Sequence, residues 1–501
     1  MASGTDLESA NPLVTVHPLS RQVQRHALFV TLVRLDSALQ PVPYFARRWV
    51  WDDTHRTVTF TLDSTLRWHD GTPTTAHDVA FTLRAAADSA LGSPRRGDVA
   101  VIESVDVPDA RTVRLAFRAP LASLPPVLAE LPLVPQHLLD TVPTSRWRSH
   151  AFSTAPVGNG PFRFVSRTPG RQWRFARNDA FPAALGGPPQ LRHLVVAVVD
   201  EAATKFAGLV SGELDVAGVS PTMARLVQQD PTLALVSPPA LFSTVLAFNT
   251  TRAPFNDPRL RRAVSLAVQR PRIVNAAVAG FAVPAVSALP PGLPVSPAVP
   301  SATVLDAGMA KAMQQADSLL DAAGYTRAAN GGPRARDGKA LRLTLLSVGS
   351  GDMAVEQLVQ ADLAARGIAV DIRVLELATF LSTVRSTDKT FDVAFTGIPG
   401  DIALGHLSAL FDSAQRGGAL DYTGFHAPAL DDALARARQA APAEARAAWA
   451  RVDSLLQHHM PVAWLYHARG VQGRSRRLEH VEMDLRGELV SVARWTRRDE
   501  P

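Results

Sequence analysis

Several patterns in this 501-residue chain bring together residue types that could do chemistry. His69-Asp70 sets an imidazole beside a carboxylate, as a general base with an orienting acid would require. Gly71 and Pro73 follow at once, however, and Asp-Gly with a nearby proline spells a turn. The structural reading is therefore preferred. His458-His459 could be taken for metal ligands, but neighbours on a helix project about 100° apart and cannot chelate one ion. Gly158-Asn159-Gly160 opens like a phosphate-binding glycine loop, yet Arg163 stands where the third glycine is needed. Gly338-Lys339 lacks the leading glycine of a P-loop, and Ala340 replaces its Ser/Thr. Neither a His-Glu-x-x-His nor a Gly-x-Ser-x-Gly motif occurs. The chain has no cysteine, which excludes disulfides, thiolate-bound metals and a thiol nucleophile. No catalytic residue, metal ligand or cofactor is assigned.

The elements that would position a site come next. Length alone suggests roughly three domains. Apolar residues make up 46% of the chain, enough for ample cores, and its 38 prolines predict many irregular connections. Net charge is +6 and the pI about 10.1. Only Lys205, Lys311, Lys339 and Lys389 are lysines; the other basic residues are arginine, mostly interleaved with acids. The basic C-terminal stretch (Arg469, Arg474, Arg476, Arg477, Arg494, Arg497, Arg498) reads as a solvated face, not a nucleic-acid surface. No apolar run is long enough to span a membrane. The N-terminal MASGTDLESANP lacks a leader pattern, so the chain is either cytoplasmic or a mature form whose export signal was removed.

Along the chain, residues 27–35 form an apolar run readable as helix or strand. TVTFTL (57–62) alternates as a half-buried strand with Val58, Phe60 and Leu62 inward. Thr75 should cap a helix carrying Asp78 in its first turn and Val79, Leu83 and Ala86 inside. Residues 101–117 read as two strands joined by a Pro108-Asp109 turn. Residues 191–199, a helix ending near Gly212 and residues 214–216 predict a parallel sheet covered on both faces. A helix starts at Arg259; 283–300, with six prolines, is expected to be a connection outside the core. A βαβ unit follows: strand 341–345, a helix opened by Asp352, and strand 368–374. Residues 391–396 form another strand, and helices cover 429–440 and 443–458.

The order and wording of these blocks resemble the solute-binding protein family 5 of ATP-driven importers, the receptors for peptides, dipeptides and nickel. The resemblance rests on WHDGTPTTAHDV (68–79), PVGNGPFRF (156–164), LAFNTTRAPFNDPRLRRAVSLAVQR (246–270), ADSLLDAAGY (316–325), QADLAARGIAVDI (360–372) and AWLYH (463–467). It implies an α/β, two-lobed periplasmic-binding-protein-like (type II) fold with an additional inserted domain. Lobe I would come from 1–46, 150–247 and 466–501, the inserted lobe II from 47–149, and lobe III from 248–465. Ligand would be enclosed between lobes by hinge closure. The site residues it implies are Phe242, Leu377, Phe395, Thr396, Gly397, Ile398 and Asp401, with His17 and Arg21 from the N-terminal segment and His26 beside them. Peptide receptors of the family carry an amine-binding aspartate after an aromatic-x-Gly motif. Here Phe395-Thr396-Gly397 is followed by Ile398, with Asp401 the nearest acid; Leu377 replaces a tryptophan after Glu376, and Asp352-Met353-Ala354 offers no arginine for a ligand carboxylate. The resemblance implies a periplasmic or extracytoplasmic monomer, lipid-anchored where a leader cysteine preceded it. It would capture a small-molecule or short-peptide ligand for a permease and its ATPase. A non-peptide solute, a metal chelate, a non-transport binding role with a degenerate pocket, and a hydrolase remain the alternatives.

Overall fold

A computed structural model describes residues 1–498 except 16, 328–330, 350–352 and 419. The helix start expected at Asp352 lies outside the described residues. The chain divides into two compact units: Met1–Pro238 with the stretch from Gly470 onward, and Pro239–Arg469. It passes between them twice, at 238–239 and 469–470.

The first unit holds two large sheets and two two-stranded ones, Val33–Leu35 with Pro41–Pro43 and Leu478–Glu479 with Thr496–Arg497. One has seven strands in the order Leu233–Val236, Gln472–Ser475, Val216–Gly218, Ala2–Ser3, His193–Val198, Gln172–Arg177 and Phe162–Thr168. The helix Ala202–Ser211 does join two strands that run the same way, ending at Gly212 with φ +80°. Ala2–Ser3 lies between those strands, parallel to both, and every other pairing is antiparallel. The expected parallel sheet is therefore a mixed one. The reason is connection length: a tight turn at Gly170 (φ +67°) can return a strand only antiparallel.

The second sheet is antiparallel, in the order Ala46–Trp51, Thr57–Leu62, Thr112–Phe117 and Ile102–Asp109. Val58, Phe60 and Leu62 are buried. Pro108 and Asp109 belong to a strand, and the turn falls at Ala110-Arg111, because the Asp109 carboxylate accepts from Arg111 N at 2.7 Å and closes it there. The helix Ala76–Ala87 starts with a full Thr75/Asp78 capping box. Trp68, Trp147, Trp173 and Trp495 are all fully buried in this unit.

The second unit is built on one six-stranded sheet, in the order Ala282–Pro284, Val462–Arg469, Pro239–Phe248, Val393–Pro399, Arg342–Val348 and Ala369–Leu375. Its last three strands are parallel. The βαβ unit forms as its periodicity requires. The helix Ala354–Ala364 packs Val355, Val359 and Leu363 against Leu343 and Leu345. The next crossover, Leu377–Arg385, buries Phe380 and Val384 outside that cluster. The proline-rich segment stays irregular but does enter the core: Ala285, Ala288, Leu289 and Leu293 are buried. Proline removes donors from the backbone, and the residues between prolines still bury their side chains.

Candidate functional site

In the first unit, the N-terminal segment is locked by the PVGNGPF stretch. A short helix, Pro18–Val23, runs into a π-helical turn, Gln24–Leu28, closed by Phe29 N donating to Gln24 O at 2.9 Å. Gly160 N donates to Leu28 O, and the Asn159 side-chain oxygen accepts from Val30 N, both at 2.9 Å. A Cβ on Gly160 would stand 2.5 Å from Ala27 O, and one on Gly158 2.1 Å from Leu28 O. The two glycines exist for this close approach of backbones. The loop is a packing device.

His17 caps the short helix. Its Nδ1 accepts from Ser20 N at 3.1 Å, and its Nε2 meets Thr5 Oγ1 at 2.8 Å. Burial lowers its pKa, against the pull of Glu8 and Asp6. Both ring nitrogens are thus engaged within the protein. Arg21, one turn on, belongs to a different arrangement. Arg25, Arg95 and Arg21 stand 3.5, 3.4 and 3.8 Å from the carboxylate of Glu130, at the end of the turn Val127–Glu130. Arg95 also pairs with Asp98 at 3.0 Å. Arg25, Arg95 and Glu130 are nearly covered, whereas the Arg21 side chain is 39% exposed. Arg25 also donates to Arg486 O and, at 3.1 Å, to His26 Nε2. Burial, then the adjacent Arg25, hold His26 well below its usual pKa, so it is a neutral acceptor. Arg486 is in turn clamped on Asp484. Three guanidiniums converge on the Glu130 carboxylate, and Arg21 is the most exposed of them. Arg25, Arg95 and Glu130 escape sequence reasoning because their convergence is long-range; the four-residue step from Arg21 to Arg25 is the only local signal.

Asp70 pairs with His137 at 2.7 Å, not with its neighbour His69. His69 Nε2 instead donates to Gly160 O at 3.0 Å, and burial takes its pKa down to about 4. The turn reading of this stretch is the observed one, with Gly71 at φ +93°.

In the second unit, the predicted residues gather at the carboxyl ends of the parallel strands. This edge is where open α/β sheets place ligands. Phe242 pairs with Pro399 and Thr244 with Gly397. The Phe242 ring lies over Gly397, where a Cβ would be 2.1 Å from its Cζ. Phe242 is 41% exposed and Leu377, just beyond the end of strand Ala369–Leu375, is 53% exposed. Phe395 packs partly against the core, Thr396 is half-buried, and Ile398 is fully buried. The position where the resemblance expects an amine-binding acid thus carries an interior aliphatic side chain. The Asp401 carboxylate accepts from Gly405 N and His406 N, both at 3.0 Å, and faces His406 Nδ1 at 3.3 Å. Burial raises its pKa, but His406 and these amides outweigh it and the net shift is downward. Asp401 caps the helix Gly405–Phe411 and is already satisfied. Among the described residues, no three His, Cys, Asp or Glu side chains are placed to hold a metal ion.

A family model for bacterial extracellular solute-binding proteins, family 5 (Middle), matches residues 40–414. A Brucella ovis protein named as an ABC transporter peptide-binding protein is 28% identical over 348 residues, 68% of this chain and 62% of its own length. The chain thus spans about 62% of that relative. Among solved structures, the oligopeptide-binding protein AppA from Bacillus subtilis, in complex with a nonapeptide, superposes with a TM-score of 0.79 at 20% identity, covering 99% of this chain and 98% of that one. NikA from Brucella suis, in complex with Fe(III)-EDTA, gives 0.83 at 20% identity over 99% of both chains. These likenesses show the two-lobed α/β fold.

Proposed function

The chain belongs to the bacterial extracellular solute-binding proteins of family 5, and from that premise we propose that it is the extracytoplasmic receptor of an ATP-driven importer. It captures a peptide or peptide-like solute by hinge closure and delivers it, as a monomer, to a membrane permease with its ATPase. The observation that carries the choice of solute is the convergence of Arg21, Arg25 and Arg95 on Glu130, with Arg21 the most exposed member. In the first unit, Arg21 is the group that would meet a solute carboxylate; in the second, taken by itself, Phe242 and Leu377 are exposed apolar side chains. The nonapeptide of AppA and the Fe(III)-EDTA of NikA both carry carboxylates, the group this cluster would recognise. With Ile398 interior and Asp401 committed to its helix, recognition of a free α-amine at the 395–401 turn has no acid to rest on. The solute is therefore held by its carboxylate. A chemical step has no part in this reading. Placement outside the cytoplasm follows the family, and among the described residues no helix is long and apolar enough to cross a membrane.

Small-angle scattering with a library of short peptides tests the proposal. A saturable decrease in radius of gyration with carboxylate-bearing peptides, absent for the same peptides amidated at the C-terminus, is expected. Neither compaction nor saturable binding with any member would contradict it.

A further inference from the structure

The second unit holds a partly open pocket of about 260 Å³ between the helices Pro258–Ala267, Ala302–Ala322 and Pro442–His459 and the segment following Ala282–Pro284. Its wall is mainly aliphatic, with Leu266, Met309, Leu456 and Val462 among the contributors. Ser265, Arg270, Ser287, Asp453, Gln457 and Trp464 bring polar groups to it. Trp464 lines the cavity, is 7% exposed, and its indole N–H finds no acceptor among the described residues. Arg270 also lines it, donating to Trp464 O at 2.7 Å, Ser265 O at 2.8 Å and Ser265 Oγ at 2.8 Å. These partners are neutral, and among the described residues no carboxylate stands within ion-pair reach of it. Burial alone takes its pKa down to about 10, with no acid offsetting it. The one carboxylate in the wall, Asp453, is spent elsewhere: Oδ1 accepts from Ala288 N at 2.8 Å and Oδ2 from Gln457 Nε2 at 2.7 Å.

A guanidinium without a counter-ion and an unmet indole N–H in an aliphatic chamber describe a specific complement. A ligand that brings an acceptor anion on an apolar body answers both groups at once. We propose that this cavity is a second ligand site of the protein, taking a medium-chain aliphatic carboxylate whose head group meets Arg270 and the Trp464 N–H while its chain fills the aliphatic part. It lies wholly within the second unit and does not use Arg21, Phe242 or Leu377.

The test is calorimetric titration of the full chain with octanoate, and with octanol as the uncharged counterpart. Saturable one-site binding of octanoate is expected, at least tenfold tighter than octanol. Ala312→Phe, which fills the chamber, should weaken it at least tenfold, and Trp464→Phe, which keeps the ring but removes the N–H, several-fold. The titrations are run in the Arg21→Ala background, which removes the carboxylate-binding group of the proposed solute site, so that the cavity alone is read. Thermal melts of each variant confirm folding. No saturable binding at millimolar octanoate, equal affinity for octanol, or unchanged affinity in a folded Ala312→Phe protein would overturn the proposal.

Discussion

The candidate binding surfaces of the two units, each taken by itself, are of opposite character. In the first, the surface is electrostatic: guanidiniums gathered on Glu130 from segments around 21–25 and 95, braced by Arg486 and Asp484. In the second it is apolar: Phe242 and Leu377 are exposed, Phe242 beside the carboxyl end of strand Val393–Pro399 and Leu377 just past strand Ala369–Leu375. A charged cluster must be assembled by long-range packing because like charges repel unless a scaffold holds them. An apolar edge needs only the ends of regular strands. The first surface should therefore fail when its scaffold is disturbed, whereas the second should lose affinity before stability.

The largest effect is expected for Gly160→Ala. Its Cβ would meet the backbone at Ala27 O, Leu28 C and Phe29 N, all within 2.7 Å, and backbone cannot swing aside. Denaturant unfolding should show a loss of about 4 kcal/mol, at the upper end of single substitutions. A wild-type midpoint would mean that the PVGNGPF stretch does not hold the N-terminal segment.

Acid should weaken both units in the same window. His69 in the first and His467 in the second are held neutral by burial, each with a pKa of about 4 against an ordinary 6.5. Between those values the unfolded chain takes up protons that the folded chain refuses. Stability is therefore full above pH 6.5, falls as pH drops toward 4, and levels off below. For the more deeply buried His467 the loss is about 3 kcal/mol at most. His467→Gln, which keeps a donor for Ser287 O, should flatten the pH dependence of unfolding in the second unit. An unchanged slope would rule that residue out as its source.

Smaller still, Glu130→Gln removes the charge the three arginines share and should cost about 2 kcal/mol. It should also tighten binding of a carboxylate solute, since more positive potential is left uncompensated. Titration that shows weaker binding instead would move the solute away from this cluster. The smallest is Asp401→Asn: with two backbone amides at stake, helix Gly405–Phe411 should lose about 1 kcal/mol, and solute affinity should not change. A large affinity loss would restore Asp401 to the amine-binding role that its hydrogen bonds now argue against.

The contrast between the units also explains what could be read from the residues alone. The βαβ unit was legible because Leu341, Leu343 and Leu345 and then Ile368, Val370 and Ile372 alternate within a few residues of their partners. Thr75 with Asp78 announced its helix for the same reason. Pairing of Ala2–Ser3 between two distant strands has no such signature, and the antiparallel pairs around it, from tight turns such as that at Gly170, make the sheet mixed. At the candidate site, Phe242, Gly397 and Ile398 are brought together by strand register, which a family resemblance can carry. Arg25, Arg95 and Glu130 are joined only in three dimensions. His17 shows the opposite failure, a residue whose type suggests ligation but whose two nitrogens are used to cap a helix and bind Thr5.

Native mass spectrometry of gently purified protein tests the central claim most directly. The wild type should carry a bound peptide or peptide-like mass that bears a free carboxylate. Arg21→Ala, in which stability changes by only about 0.5 kcal/mol, should emerge without it. An Arg21→Ala protein that retains the same ligand, or a wild type that neither carries nor accepts any carboxylate-bearing solute, would contradict the account.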